Sequence, residues 1–338
     1  MSSAPSATAP APDSEDRVTA RQPPEWAPHE FLWIGFPSHA ELWEDKLEPA
    51  REEVAAFAAA VHAGGRGEEV RLVAADAQSA EAARRMAPFA TVVEEKFGDI
   101  WLRDTGPLIV KDGGRRGART FRFNGWGRKY ELEGDDSVGA RLAASMGLDT
   151  DAHDWVLEGG AIDVDGTGLA VTTEQCLLNP NRNPGFGPID VEARLRDHLG
   201  IDRLLWLGEG LRNDHTDGHV DNLARFVGEG RLAIPVPESG ADPNAQAYAD
   251  ARYRAEALGL AVEAVPSPGR IEKDGEIAAA SYMNFYIGNA AVVVPTYGAA
   301  NDEAAVELIG ALFPGREAVG LPADHVLTGG GRFPCNSQ

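Results

Sequence analysis

Apolar positions along the chain alternate between short extended runs and longer runs with helical spacing. The segment 47–62 repeats apolar residues on one helical face and is followed by Gly64 and Gly65, which predicts a helix with a glycine stop. The same criteria predict helices at residues 47–62, 77–87, 137–146, 189–199, 243–258 and 302–312. They predict strands at residues 31–36, 70–74, 91–93, 107–111, 120–123, 161–164, 168–172, 204–207, 222–227, 231–234, 282–287, 291–294 and 317–319.

Strand pairs followed by single helices recur along the chain at roughly equal spacing. The turn Asp165-Gly166 between two apolar runs is a strong hairpin signal, and Gly113-Gly114 separates another strand pair. A dinucleotide-binding doubly wound sheet would need a glycine-rich turn after the first strand, and the sequence has none there. The pattern therefore predicts an α/β protein of repeated small sheets.

Composition narrows the classes of partner. The 338 residues include 53 Asp and Glu against 31 Lys and Arg, so the formal charge is −22. An acidic chain without a basic stripe repels phosphate groups, so the sequence predicts neither nucleic-acid nor membrane partners and favours a small cationic one. With 43% hydrophobic and 25% charged residues, the chain has the composition of a globular protein.

The composition of the N-terminal residues and the number of cysteines indicate the cellular compartment of the protein. Residues 1–24 are rich in Ser, Ala and Pro and lack the basic start and apolar centre of a secretory signal, so they predict a disordered tail before one folded domain, residues 25–338. The sequence contains no apolar run of membrane-spanning length. Two cysteines, Cys176 and Cys335, are too few for a disulfide framework. Together these features predict a cytoplasmic protein.

Candidate chemistry is concentrated in the segments 101–107, 158–160, 215–222 and 329–335. In the third segment, His215, Asp217, His219 and Asp221 alternate, and an extended backbone would place all four side chains on one face. One hypothesis is a metal-dependent hydrolase with a metal-bound water. The other needs no metal: a histidine beside carboxylates serves as acid and base for a cysteine nucleophile.

A guanidinium substrate would employ all of these side chains. Two carboxylates can clamp the edges of the planar cation and leave its central carbon facing a thiolate. Cys335 would attack that carbon, His219 would protonate the departing nitrogen and then activate water, and Glu158 would share the protons.

Six ordered segments of the chain resemble the agmatine deiminase family, also called bacterial-type peptidyl-arginine deiminases. They contain Trp-Leu-Arg-Asp-Thr-Gly-Pro from Trp101, Glu158-Gly-Gly, Cys-Leu-Leu-Asn-Pro-Asn-Arg up to Arg182, Asp-Gly-His-Val-Asp-Asn around His219, Ser-Tyr-Met-Asn up to Asn284, and the glycines 329–331 before Cys335.

The resemblance implies the pentein fold, an α/β propeller of five ββαβ modules with pseudo-fivefold symmetry. It implies that Cys335, His219 and Glu158 are catalytic, that Asp104, Asp221 and Trp101 bind the substrate, and that no cofactor or metal takes part. The implied reaction converts agmatine to N-carbamoylputrescine and ammonia through a covalent cysteine thiouronium. A homo-oligomer is left open, and Cys176 is interpreted as a core residue. Arg182 either lies near the site or, in the favoured structural interpretation, pairs with the acidic surface.

The chain departs from the family at the nucleophile. Family members usually have histidine before the cysteine and Thr-Gln-Gln or Ser-Gln-Gln after it, whereas here Pro334 precedes Cys335 and the sequence stops at Gln338. Proline fixes its own φ and lacks an amide donor, so the loop presenting the sulfur could be displaced. The open alternatives are a peptidyl-arginine or other guanidine deiminase, a metal-dependent hydrolase, and an inactive guanidine-binding protein.

Overall fold

The computed structural model describes residues 20–273, 275–328, 331 and 333–338. Its α-helices are α1 Ala40–Trp43, α2 Leu47–His62, α3 Ala77–Met86, α4 Leu102–Thr105, α5 Gly125–Arg128, α6 Val138–Ser145, α7 Glu174–Leu177, α8 Pro188–Leu199, α9 Ala245–Ala257, α10 Asp302–Leu312 and α11 Asp324–Thr328. Its strands are β1 Phe31–Gly35, β2 Glu69–Ala74, β3 Thr91–Glu94, β4 Leu108–Asp112, β5 Arg115–Arg122, β6 Asp149–Val156, β7 Ile162–Val164, β8 Leu169–Thr173, β9 Arg203–Leu207, β10 Arg225–Gly228, β11 Arg231–Val236, β12 Ala261–Pro266, β13 Glu272–Lys273, β14 Glu276–Ile277, β15 Tyr286–Ile287, β16 Ala291–Thr296 and β17 Glu317–Pro322.

In the described part of the chain, five three-stranded sheets form the architecture, and β13 and β14 form an additional two-stranded ribbon. Four of the sheets share one plan, in which two antiparallel strands are followed by a helical crossover and a third strand parallel to the second. These sheets are β4-β5-β6, β7-β8-β9, β10-β11-β12 and β15-β16-β17. The chain is therefore a mixed α/β protein built from repeated small sheets, as the sequence predicts.

The sheet β1-β2-β3 differs because both of its pairings are parallel. Its antiparallel neighbour comes from the far end of the sequence, where Ser337 forms an antiparallel bridge to Ile34. The backbone N–H of Trp33 donates to the Gln338 carbonyl at 2.9 Å, and that of Gly35 donates to the Asn336 carbonyl at 2.8 Å. The last residues therefore complete the first sheet.

The sequence-predicted helices are confirmed, and α10 and α2 have the predicted bounds. Four strands were missed: β6, β12 and the two strands of the ribbon, β13 and β14. β6 carries three aspartates among eight residues and shows no apolar run, and β12 has only a short alternation after Gly259. Both gain their strand conformation by parallel pairing with a neighbour distant in sequence, which local patterns do not report.

The predicted tail, residues 1–24, needs correction at its boundary. Residues 1–19 lie outside the described part of the chain, but residues 20–24 lie against the body. The Arg21 N–H donates to the Lys111 carbonyl at 2.9 Å, and the Gln22 N–H donates to the Leu199 carbonyl at 3.0 Å. These backbone bonds attach the chain to the body before residue 25.

Three clusters of buried apolar side chains form the core. The first is dominated by aromatic and aliphatic residues around β1, α2 and β16, including Phe57, Phe285 and Phe333. Among the described residues, no helix combines the length and the apolar composition that crossing a bilayer would require.

Candidate active site

A cavity of about 250 Å³ opens where several of the sequence-predicted segments meet. All six predicted site residues are buried, and three of them, Trp101, Asp104 and Cys335, line this cavity. The other described lining residues are Leu42, Trp43, Asp99, Trp126, Tyr130, Leu132, His215, Thr216 and Gly331. Aromatic side chains therefore form much of the cavity wall, which also contains the carboxylates of Asp99 and Asp104 and the thiol of Cys335.

Asp104 is held on the short helix α4 with both carboxylate oxygens hydrogen-bonded. The Gly160 N–H donates to Oδ1 at 2.9 Å, and the indole Nε1–H of Trp126 donates to Oδ2 at 2.9 Å. Two fixed donors hold the carboxylate in one orientation. An oriented, buried carboxylate is suited to a planar cation.

Trp126 reaches Asp104 from an unusual backbone conformation. Its φ is 53°, and the flanking Gly125 and Gly127 also have positive φ, of 65° and 80°. A non-glycine residue in the left-handed region is strained, and such residues tend to lie at functional sites. Sequence analysis missed Trp126, although the Gly-Trp-Gly triplet around it was a visible signal.

Replacing Trp126 with phenylalanine will weaken substrate binding. The ring remains but the donor to Asp104 is lost, and a hydrogen bond to a charged group contributes about 1.5–3 kcal/mol, so kcat/KM should fall by roughly 10- to 100-fold. Steady-state kinetics with the guanidinium substrate that the sequence analysis predicts would measure this change.

Trp206→Phe is the matched control, because Trp206 Nε1 also donates to a carboxylate, Glu192 Oε1, at 2.9 Å, but does not line the cavity. Equal kinetic losses in the two variants would show that the Trp126–Asp104 bond has no special role.

Gly160 is the point on which three polar side chains converge. A Cβ atom added to Gly160 would lie 2.6 Å from His219 Nδ1, and 2.9 Å from both Asp104 Oδ1 and Asp221 Oδ2. In addition, His219 Nδ1 lies 3.7 Å from Asp104 Oδ1. The structure thus brings Asp104, His219 and Asp221 together around a position that only glycine fits.

Glu158 precedes this glycine and is fully buried. Its Oε1 accepts from Arg182 Nε at 2.7 Å, whereas no described group hydrogen-bonds to Oε2. Arg182 also donates to the carbonyl of Thr216 at 2.7 Å and to the carboxylate of Asp217. Arg182 was interpreted as structural, with pairing to the acidic surface; its guanidinium is instead buried against Glu158.

The segment from His215 to Asp221 is not extended, which corrects the sequence-based expectation. Asp217 has φ of 62° and Gly218 has φ of 82°, so the backbone turns sharply between the two histidines. His215 lies at the exposed mouth of the cavity and Asp217 pairs with Arg182 and Lys129, while His219 and Asp221 point to the buried site. The four side chains proposed as a metal-binding face are therefore divided between two places.

Cys335 lies beside two side chains of the site. Its Sγ is 3.9 Å from Asp221 Oδ2 and 3.3 Å from Asn284 Oδ1. Asn284 is itself held by its Nδ2–H, which donates to Asn222 Oδ1 at 3.2 Å. The thiol is thus positioned next to a carboxylate that has one oxygen, Oδ1, buried and unpartnered among the described groups.

The loop that carries Cys335 is anchored from both sides, and Pro334 fits into it. The Arg103 backbone N–H donates to the Cys335 carbonyl at 3.0 Å, and Arg103 Nε donates to the Pro334 carbonyl at 3.3 Å. The Ser337 N–H donates to the same Pro334 carbonyl at 3.1 Å. Proline contributes here as an acceptor only, so its missing N–H does not prevent the sulfur from reaching the site.

Burial and neighbouring charges shift the pKa values of His219 and Asp221. Burial alone would lower the pKa of His219, but the charges of Asp104 and Asp221 and the nearby Cys176 sulfur raise it well above its usual value. Burial raises the pKa of Asp221 to about 6, with Asp104 adding to the rise and His219 and Arg225 opposing it. The imidazolium form of His219 is therefore favoured beside the two aspartates.

Among the described residues, one group of side chains has the spacing of possible metal ligands: Glu158, Cys176 and His219. It shares only His219 with the metal-binding face that the sequence suggested. The metal-hydrolase hypothesis in its original form, with ligands from His215 to Asp221, does not match this geometry.

The chain was compared with known proteins. The family described as Porphyromonas-type peptidyl-arginine deiminase matches residues 21–338. The agmatine deiminase of Stutzerimonas stutzeri strain A1501 is 38% identical over 94% of both chains. Two solved structures superpose with a TM-score of 0.89: an agmatine deiminase of Enterococcus faecalis, 32% identical over 94% of this chain and 95% of that one, and an agmatine deiminase of C. jejuni with substrate bound, 28% identical over 95% and 96%.

Proposed function

Because the chain belongs to the Porphyromonas-type peptidyl-arginine deiminase family, we propose that it is an agmatine deiminase that hydrolyses agmatine to N-carbamoylputrescine and ammonia. This is a hydrolase reaction on a C–N bond of a linear amidine. The curated relatives that match over most of the chain are agmatine deiminases, and the site contains the groups that this chemistry requires.

The composition of the cavity wall favours agmatine over free arginine. The described lining residues include two carboxylates, Asp99 and Asp104, and no Lys or Arg. Agmatine is cationic at both ends, whereas free arginine carries a carboxylate that would meet no cation there. The aromatic walls, including Trp43 and Trp101, suit a methylene chain. This charge pattern is the observation that carries the choice of substrate.

Asp104 and Asp221 hold the guanidinium in the proposed mechanism. Asp221 Oδ1 is buried without a described hydrogen-bond partner, and a substrate N–H would supply one. The substrate cation would add a second positive charge, beside that of His219, to two carboxylates whose burial raises the pKa of Asp221. Binding therefore places the central carbon of the substrate beside Cys335 Sγ.

Cys335 then attacks as the thiolate, which the neighbouring imidazolium of His219 stabilises. A C–S bond forms and gives a tetrahedral adduct, and His219 donates its proton to one nitrogen as the C–N bond breaks. Ammonia leaves and the cysteine thiouronium remains. The now neutral His219 takes a proton from water, and the hydroxide adds to the same carbon. The C–S bond then breaks as the hydroxyl of this adduct gives its proton to Glu158, whose Oε2 is unpartnered among the described groups, so that the ureido product and the Cys335 thiolate are released and Glu158 passes the proton on to solvent.

We also propose the finer architecture, a pentein propeller of five ββαβ modules with pseudo-fivefold symmetry. Four sheets follow the ββαβ plan directly. The fifth acquires its antiparallel neighbour from residues 336–338. The site residues come from loops beside different sheets, which a radial arrangement around one centre would explain.

An assay of three guanidines tests the function. Ammonia release is measured from agmatine, arginine and an arginyl peptide, and kcat/KM for agmatine should exceed that for free arginine by roughly 10²-fold or more, since a buried substrate carboxylate without a partner is strongly disfavoured. Chelators should leave the rate unchanged. Because Cys335 already lies beside Asp221, Pro334→His should give activity comparable to that of the unmodified chain.

Failure of both proteins on all three guanidines would reject the deiminase function. Calorimetry then separates the remaining alternatives, since an inactive guanidine-binding protein binds agmatine without releasing ammonia. A preference for the arginyl peptide would instead assign the peptidyl-arginine activity.

A further inference from the structure

A chain of hydrogen bonds runs from Cys335 away from the cavity. The Cys335 Sγ lies 3.3 Å from Asn284 Oδ1. Asn284 Nδ2 donates to Asn222 Oδ1 at 3.2 Å, and Asn222 Nδ2 donates to Asp214 Oδ2 at 3.0 Å. Both asparagines are buried, and the described residues that line the cavity include neither of them and not the aspartate. The chain therefore joins the proposed nucleophile to a carboxylate that the substrate would not touch.

The turn that carries Thr216 fixes the far end of this chain. Asp214 Oδ1 accepts from the Thr216 N–H at 2.9 Å and from the Thr216 hydroxyl at 2.6 Å. The hydroxyl oxygen accepts in turn from the His219 N–H at 3.1 Å, so its own hydrogen is directed to the aspartate. Because two donors hold Oδ1, the oxygen left to receive Asn222 is Oδ2.

The carboxylate at this end determines which way each amide in the chain faces. An ionised carboxylate only accepts hydrogen bonds, so Asn222 presents its NH2 group to Asp214 and its oxygen to Asn284. Asn284 must then donate to that oxygen, which turns its own oxygen toward the sulfur. Reversing either amide would bring two donors or two acceptors into contact, so the network itself assigns both orientations.

The backbone around Asn284 is also held in place. Arg225 donates through Nη1 to the carbonyl of Phe285 at 2.9 Å and to that of Met283 at 3.4 Å, the residues on either side. Arg225 is buried and pairs with Asp163. The fixed backbone and the fixed amide orientation together set the position of the Asn284 oxygen beside the sulfur.

We propose that Asp214, Asn222 and Asn284 are positioning residues for the proposed nucleophile, which together keep a hydrogen-bond acceptor on its sulfur. Asp221 Oδ2, at 3.9 Å from Cys335 Sγ, is a second acceptor there. Acceptors hold the hydrogen of a thiol and oppose a negative charge on the sulfur while no substrate is bound. The kinetic consequence rests on the proposed deiminase function, whereas the hydrogen-bond chain does not.

Asp214→Asn tests the chain at its far end, three hydrogen bonds from the sulfur. The oxygen of the new amide stays with the two donors of Thr216, so its NH2 group faces Asn222. Asn222 must then reverse, and Asn284 must reverse after it. An N–H donor thus replaces the acceptor at Cys335, and a donor favours the thiolate.

Alkylation of the ligand-free protein measures this change without turnover. Cys335 lines the cavity, so iodoacetamide can reach it, whereas Cys176 is fully buried. The thiolate and not the thiol reacts with this reagent, so Asp214→Asn should be modified at Cys335 roughly tenfold faster than wild type at neutral pH. Mass spectrometry of the peptide that contains Cys335 gives the rate, and thermal unfolding confirms that the variant folds.

Asp165→Asn is the matched control. Asp165 Oδ1 accepts from the N–H and the hydroxyl of Thr167 at 2.8 and 2.7 Å, the same pattern as at Asp214, but it lies on the turn between β7 and β8. This variant should leave the rate of Cys335 modification unchanged. Adding Asp214→Asn to Asn284→Ala should likewise leave the rate of Asn284→Ala unchanged, because the missing amide interrupts the chain.

Steady-state kinetics measures the consequence for turnover. Asn284→Ala should lower kcat for agmatine roughly tenfold with little change in KM, because it leaves the carboxylates that hold the guanidinium in place. An unchanged kcat in this variant, with an active wild type, would show that Asn284 does not position the nucleophile.

The alkylation rates decide the inference independently of turnover. A rate in Asp214→Asn equal to or below that of wild type overturns it. So does an equal acceleration in Asp165→Asn or in the double variant, since the effect would then not pass through Asn284. A protein inactive on every guanidine rejects the proposed function, and the alkylation rates still test the hydrogen-bond chain.

Discussion

Cys335→Ala abolishes agmatine turnover while agmatine still binds. Loss of a catalytic nucleophile lowers kcat by about 10⁴-fold or more, because the remaining groups can orient the substrate but cannot form the covalent intermediate. Asp104 and Asp221 stay in place, since Asp104 is held by Gly160 and Trp126 and not by the sulfur. Ammonia release measures the loss, and calorimetry with agmatine measures the retained binding.

Mass spectrometry adds a direct check on this first variant. Wild-type protein quenched in acid during turnover should carry the thiouronium mass on the peptide that contains Cys335, and the alanine variant should carry none. A variant that still releases ammonia, together with activity that chelators abolish, would reject the cysteine mechanism and return the metal-hydrolase hypothesis.

Gly160→Ala is expected to lower kcat/KM by roughly 10²- to 10³-fold. The new methyl group would sit 2.6 Å from His219 Nδ1 and 2.9 Å from oxygens of Asp104 and Asp221, well inside contact distance. At least one of these groups must move, and small displacements of catalytic groups strongly reduce rates. Overpacking also lowers the free energy of unfolding by about 1–3 kcal/mol.

Gly240→Ala is the matched control for this second variant, because a Cβ at Gly240 meets no atom within 4 Å. It should leave both kcat/KM and the unfolding midpoint close to those of wild type. If Gly160→Ala kept full activity, the crowding of Asp104, His219 and Asp221 around this glycine would have no catalytic importance.

The helices were predictable because their signals are local. α10 begins after Asn301 with two acidic residues in its first turn and repeats apolar positions on one face, and α8 begins with a proline and ends at Gly200 in the left-handed conformation. Strand β6 had no such local signal. Its acidic residues resemble a loop, and only its pairing with β5 makes it a strand.

The residues of the candidate site were predictable by type, but their contacts were not. Motif resemblance identified the family, which the comparisons confirm, and it drew attention to Asp104, His219 and Cys335. The donor on Trp126, the anchoring by Arg103 and the closeness of Cys176 to His219 all join segments that are distant in sequence. The turn at Asp217 and Gly218 was also missed, because alternating polar residues imitate an extended strand while a positive φ reverses the chain.

The pairing of residues 336–338 with β1 has a consequence for the order of events during folding. Within each of four sheets, the strands are near neighbours in sequence, whereas this pairing closes almost the whole described chain into a loop. Contacts of such long sequence separation form late, since the entropy of loop closure opposes them until the intervening structure exists. Cys335 lies beside this closing pairing, so the proposed nucleophile takes its place only after most of the secondary structure that surrounds it has formed.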